Sequence, residues 1–112
     1  MPAIRHTVAF ALPFPEGSSE EAAFLRAARE LASLPGVEHF VVLRSLREQS
    51  DLPWTLSMDF ADQAAYDAYN AHPAHRRFVD ATWLPTVTSF AESDHLLVPA
   101  PSPSAPHQGG TS

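Results

Sequence analysis

The stretch Trp54–Phe60, WTLSMDF, alternates apolar and polar residues without a break. Trp54, Leu56, Met58 and Phe60 fall on one side, and Thr55, Ser57 and Asp59 on the other, as in a strand with one face on a core. Such a strand needs neighbours in a sheet and a layer of other elements to cover its apolar face. A chain of 112 residues has room for one such core. A second alternating run, residues 3–12, places Ile4, His6, Val8, Phe10 and Leu12 on one face, and Pro13 and Pro15 stop it. Residues 37–46 read as a further strand, with Val37, His39, Val41 and Leu43 on one side and Phe40 and Val42 on the other. A weaker pattern within residues 86–98 supplies the last strand.

The intervening segments have helical spacing. Residues 18–34 begin with Ser18 and Glu21 in capping-box positions, carry an apolar stripe of Phe24, Ala28, Leu31 and Ala32, and end at Pro35-Gly36. Residues 61–71 form a shorter helix bearing Tyr66 and Tyr69. Proline disfavours helical geometry in the residue before it and suits the first position of a helix. The helix therefore ends near His72, and another starts at Pro73 and runs to about residue 83.

The order β-α-β-β-α-β predicts an α+β, ferredoxin-like subunit: four antiparallel strands with helices on one face. Residues 1–98 make the domain. The last residues, 99–112, read PAPSPSAPHQGGTS and offer nothing to bury, so a disordered tail is expected. Apolar residues on both sides of the second strand imply a covered outer face. Two sheets facing each other would make a homodimeric α+β barrel.

Composition narrows the function classes. The formal net charge is −6 and there is no lysine, so nucleic-acid binding is not expected. No apolar run approaches the roughly 18 residues of a membrane span. The chain has no cysteine, which removes disulfides, thiolate metal sites and a cysteine nucleophile. The first residues lack the apolar stretch of a signal peptide, and a cytoplasmic protein is expected. Nucleotide-binding and serine-hydrolase motifs are absent.

Chemistry concentrates in Tyr69–Phe78, YNAHPAHRRF. His75 falls in the first turn after Pro73, where the helix dipole disfavours imidazolium and keeps the ring able to accept a proton. A histidine there can equally fix the helix junction. His72 is placed to cap the following helix. No third ligand stands at metal-binding spacing beside the two histidines, so no metal is expected. Tyr69 can steady a developing oxyanion or serve as a half-buried aromatic. His6 shares its strand face with Val8 and Phe10, as either a satisfied core residue or a polar group in an apolar pocket. Arg76 and Arg77 are read as surface residues paired with acids.

The Ile4-Arg5-His6-Thr7-Val8 run, Leu34-Pro35-Gly36-Val37, Asp59-Phe60 and above all Tyr69…His72-Pro73-Ala74-His75…Phe78 resemble the Dabb family, the stress-responsive A/B-barrel domains. The resemblance spans residues 3–98 and implies a dimeric α+β barrel. Most members have no assigned reaction. One plant member is a polyketide cyclase, whose reaction needs no cofactor and whose tyrosine and two histidines match Tyr69, His75 and His6. The resemblance implies these three as catalytic and Phe24 as a retained tunnel aromatic; Phe78, Val8 and Met58 are expected beside it against the ligand. Leu56 stands where the cyclase has a histidine, and Ala23 and Ala27 replace aromatics of its tunnel, so its substrate does not carry over. Three readings follow: a homodimeric stress-responsive protein binding a hydrophobic metabolite, a cyclase or lyase acting on a carbonyl compound such as a polyketide, or a structural protein without ligand.

Overall fold

The computed structural model describes residues 2–100. The expected tail therefore lies almost wholly outside the described residues. Strands β1 (Ile4–Ala11), β2 (Glu38–Arg44), β3 (Trp54–Phe60) and β4 (Ser89–Leu96) form one antiparallel sheet in the order β2-β3-β1-β4. Helix α1 (Ser19–Arg29) continues through a 3-10 turn, Glu30–Ser33. Helix α2 (Gln63–Ala71) is followed at once by α3 (Pro73–Phe78). This is the ferredoxin-like α+β arrangement expected above.

Local sequence explains the element ends. The Ser18 hydroxyl accepts from the Glu21 amide, and Glu21 reaches back to the Gly17 amide, closing the start of α1. Asp62 caps α2 by accepting from the Ala65 amide. Gly36 turns the chain into β2 at φ +86°, a backbone conformation open to glycine.

The core lies between sheet and helices. Phe10 and Phe60 are fully buried, with Leu56 and Met58 nearly so. Val8, Phe24, Ala28, Leu31, Tyr69 and Trp83 complete it. Strand β2 departs from simple alternation. Its register shifts between Glu38 and Val41, and His39 takes φ 54°. This bulge reverses the facing of side chains along the strand. Val37, Phe40 and Val42 consequently pack toward the core, while Val41 and Leu43 stay about half exposed on the outer face.

Asp59, expected among the wet residues of β3, is buried on that outer face. Arg5 Nε and Nη2 donate to its two carboxylate oxygens at 2.8 and 3.0 Å, and His39 Nδ1 lies 3.0 Å from Oδ2. The Arg5 hydrogen bond holds the Asp59 carboxyl below the ordinary carboxylate range.

Candidate functional site

Three elements bring the polar groups of the site together. Strand β1 supplies His6 on its core-facing side, one pleat from Val8. Across the antiparallel register His6 stands opposite Asp94, and Val8 opposite Glu92. Because side chains alternate along a strand, Phe90, Glu92 and Asp94 share the β4 face turned toward the helices. Helix α2 presents Tyr66 and Tyr69, three residues apart and so on one side of the helix. His72 ends α2 in extended geometry, and its Nδ1 accepts from the Ala74 amide at 3.0 Å, capping α3. That cap and Pro73 set the angle at which His75 returns over Tyr69, with ring centroids 4.4 Å apart.

After α3 the chain takes a π-helical turn, Val79–Trp83, ending in the short helical segment Leu84–Thr86. The wider turn sets the register of Val79 and Trp83, which both line the space between helices and sheet.

That space is a cavity of about 270 Å³, partly open to solvent. Val8, Leu31, Leu56, Met58, Phe78 and Trp83 provide apolar walls. His6, Tyr66, Tyr69, Asn70, His75 and Glu92 provide the polar groups. Among the residues singled out in the sequence, His6, Tyr69, His75, Val8, Met58 and Phe78 meet here. Phe24 lies elsewhere. It is buried in the core with its ring 5.7 Å from that of Phe10 and 6.0 Å from those of Phe78 and Trp83.

His6 is held on one side only. Its Nδ1 lies 2.6 Å from Asp94 Oδ1, and the Tyr66 hydroxyl donates to Asp94 Oδ2 at 2.9 Å. The Tyr66 oxygen is also 2.9 Å from the same ring nitrogen. A carboxylate accepts and cannot donate, so Nδ1 carries a proton and donates to Asp94. The free nitrogen of His6 is therefore Nε2.

His75 reaches the same end by a different route. Its Nδ1 is enclosed by protein and has no hydrogen-bond partner. The nitrogen left to a molecule in the cavity is again Nε2. Burial pushes the His75 pKa down, against a weaker upward pull from the Asn70 backbone, so the ring stays neutral near pH 7. Tyr69 is only 2% exposed, and burial raises its phenol pKa, which keeps the hydroxyl protonated. Burial, and then the hydrogen bond to Asp94, does the same for Tyr66. The arrangement thus offers a neutral imidazole that can take a proton and, in Tyr69, a phenol that can donate a hydrogen bond, the Tyr66 proton being directed to Asp94.

Tyr66, Asp94 and Glu92 were not singled out from the sequence. Tyr66 carried a usable signal, its spacing of three from Tyr69. Asp94 and Glu92 required the β1–β4 register. Arg76 and Arg77 are exposed and stand outside the cavity. No group of three histidines, cysteines or acids among the described residues is placed to hold a metal ion. No helix among the described residues is long and apolar enough to cross a membrane.

Fold and cavity together define a class: a ferredoxin-like subunit that keeps a half-open apolar cavity with two histidines between its sheet and its helices. The profile of the stress responsive A/B barrel domain, Dabb, matches residues 4–95, and the chain belongs to that family. A Dabb family protein of Mesorhizobium loti with a ferredoxin-like fold is 43% identical, with a TM-score of 0.83 over 88% of this chain and 100% of that one. A dimeric ferredoxin-like protein of unknown function from Thermobifida fusca is 19% identical, with a TM-score of 0.72 over 86% of this chain and 92% of that one. The hydroxynitrile lyase of Passiflora edulis shares the fold at 9% identity, with a TM-score of 0.75 over 90% of this chain and 98% of that one. No curated protein matches the chain.

Proposed function

We propose that the chain works as a homodimer and that its cavity binds a small hydrophobic metabolite bearing a carbonyl group. We read the chemistry as cofactor-free proton transfer next to that carbonyl, the step shared by cyclases and lyases. The observation that carries this reading is the meeting of His6 and His75 in one apolar cavity, each with Nδ1 engaged or sealed and Nε2 left for a ligand. In this scheme His75 Nε2 takes a proton from the carbon beside the carbonyl. The bond's electron pair moves toward oxygen, where the Tyr69 hydroxyl, and His6 with its ring protonated and paired to Asp94, stabilise the enolate. Asp94 acts through His6 by fixing its tautomer. Val8, Met58 and Phe78 form the apolar contacts.

Binding without turnover is the second reading, and the close packing of His75 on Tyr69 favours it. A purely structural role has less support, since a stabilising barrel would fill this space with side chains. The homodimer rests on the half-exposed Val41 and Leu43 of the outer sheet face and on the dimeric relative from T. fusca. The Passiflora protein is an example of lyase chemistry housed in this fold.

Hydrogen–deuterium exchange at the α-carbons of acetophenone and 2-heptanone in D₂O tests the chemistry without knowledge of the natural substrate. The protein should accelerate exchange, His75→Ala should reduce the acceleration by about a hundredfold, and Asp94→Asn by about tenfold. The shift of the Trp83 indole signal reports binding separately. Binding with no acceleration of exchange would leave the second reading standing and sink the first.

A further inference from the structure

The charge of the cavity carries an inference about which ligands it admits. None of the chain's seven arginines lines it, and there is no lysine to do so. Arg5 is turned to the outer face against Asp59. Arg44 is taken up by Glu16 and by the ring of Trp54. Against this, β4 brings two carboxylates to the cavity: Glu92 in its wall and Asp94 behind His6. Glu92 has no cationic partner among the described residues, and its charge is felt at both His75 and Tyr66.

The sign of the charge does not depend on how His6 is protonated. A charged His6 is matched by Asp94, leaving Glu92 unbalanced; a neutral His6 leaves two negative charges. The amino end of α3, which could attract an anion, is closed by the His72 cap on the Ala74 amide.

We infer that this cavity selects uncharged carbonyl compounds of about a dozen heavy atoms or fewer and rejects carboxylates and phosphates of the same size. Its negative wall repels an anion that its apolar walls would otherwise accept. Its volume of about 270 Å³ is at the small end for ligand sites. The inference rests on the reading of the cavity as a carbonyl site and narrows its substrate class. It excludes free acids and phosphorylated or nucleotide-linked thioesters as ligands held wholly within the cavity.

The test compares acetophenone with benzoate, and 2-heptanone with hexanoate, by titration of the Trp83 indole signal at low salt. The expected result is binding of each ketone at least about tenfold tighter than its paired carboxylate. Glu92→Gln should narrow that gap several-fold, and Glu92→Lys should reverse it. Carboxylates that bind the unaltered protein as tightly as the ketones would overturn the charge inference and leave the cavity reading intact. A gap unmoved by both Glu92 variants would overturn the role given to Glu92. If neither ketones nor carboxylates bind, the cavity reading itself fails, and the inference falls with it.

Discussion

At the scale of single residues, His75 couples the site to folding stability. Its pKa in the folded chain is lowered by burial, while in the unfolded chain it is ordinary, about 6.5. Between those two values the unfolded state binds more protons, so acidification favours unfolding. Stability should therefore fall as pH drops below about 6.5, and His75→Gln should remove part of that fall. Urea titrations of both proteins at several pH values between neutrality and mild acid measure it; identical slopes would contradict the burial of this ring. Asp59 adds a second loss lower down. Its folded pKa is depressed, so its contribution is present above the usual carboxylate range and disappears as pH falls through the folded value. The residues of the cavity were unequally legible in the sequence. His6, Tyr69 and His75 stood out because each is polar within an apolar pattern or a distinctive motif. Glu92 and Asp94 did not, because the core-facing side of β4 reads Phe-Glu-Asp-Leu and mixes both classes. Hydrophobic alternation finds strands whose inner face is dry, and this one borders a cavity.

At the scale of elements, helix and strand order followed from alternation, caps and prolines, and the departures have local causes. The β2 bulge was invisible because nothing in Glu38-His39-Phe40-Val41 marks an extra residue; His39 adopts φ 54° without being a glycine. The π-helical turn was likewise hidden, since Val79–Trp83 is an ordinary helical composition. The entry to β2 was legible, because Pro35-Gly36 announces a turn. Gly36 has space for a methyl group, whose nearest neighbour would be Ala65 Cβ at 3.6 Å. Its cost as alanine is thus backbone strain, and Gly36→Ala should destabilise the domain by about 1–2 kcal/mol in urea unfolding. A change within a few tenths would mean that the turn relaxes to negative φ.

At the scale of the whole molecule, the outer sheet face is the proposed dimer interface. Val41 and Leu43 lie there beside small side chains of the neighbouring strands, while the Arg5–Asp59–His39 cluster occupies one end. A face graded in this way suits a second copy packed sheet to sheet. Leu43→Glu should convert a dimer to monomers in light scattering at micromolar concentration, since it buries an unpaired charge in the proposed interface. An unchanged mass would move the interface elsewhere. The apolar outer side of β2 was legible in the sequence, although the bulge changed which residues form it.

The contact between His6 and Asp94 joins positions 88 residues apart. Closing a ring of that size costs chain entropy before the contact rewards it, and pairings of this kind slow folding. During synthesis, His6 of β1 emerges early and waits for Asp94 until nearly the whole domain has left the ribosome. Any nascent chain still short of β4 has one wall of its cavity missing. The cavity thus cannot be completed before β4 is made, and a partly made copy holds His6 and His75 without the two carboxylates of that strand.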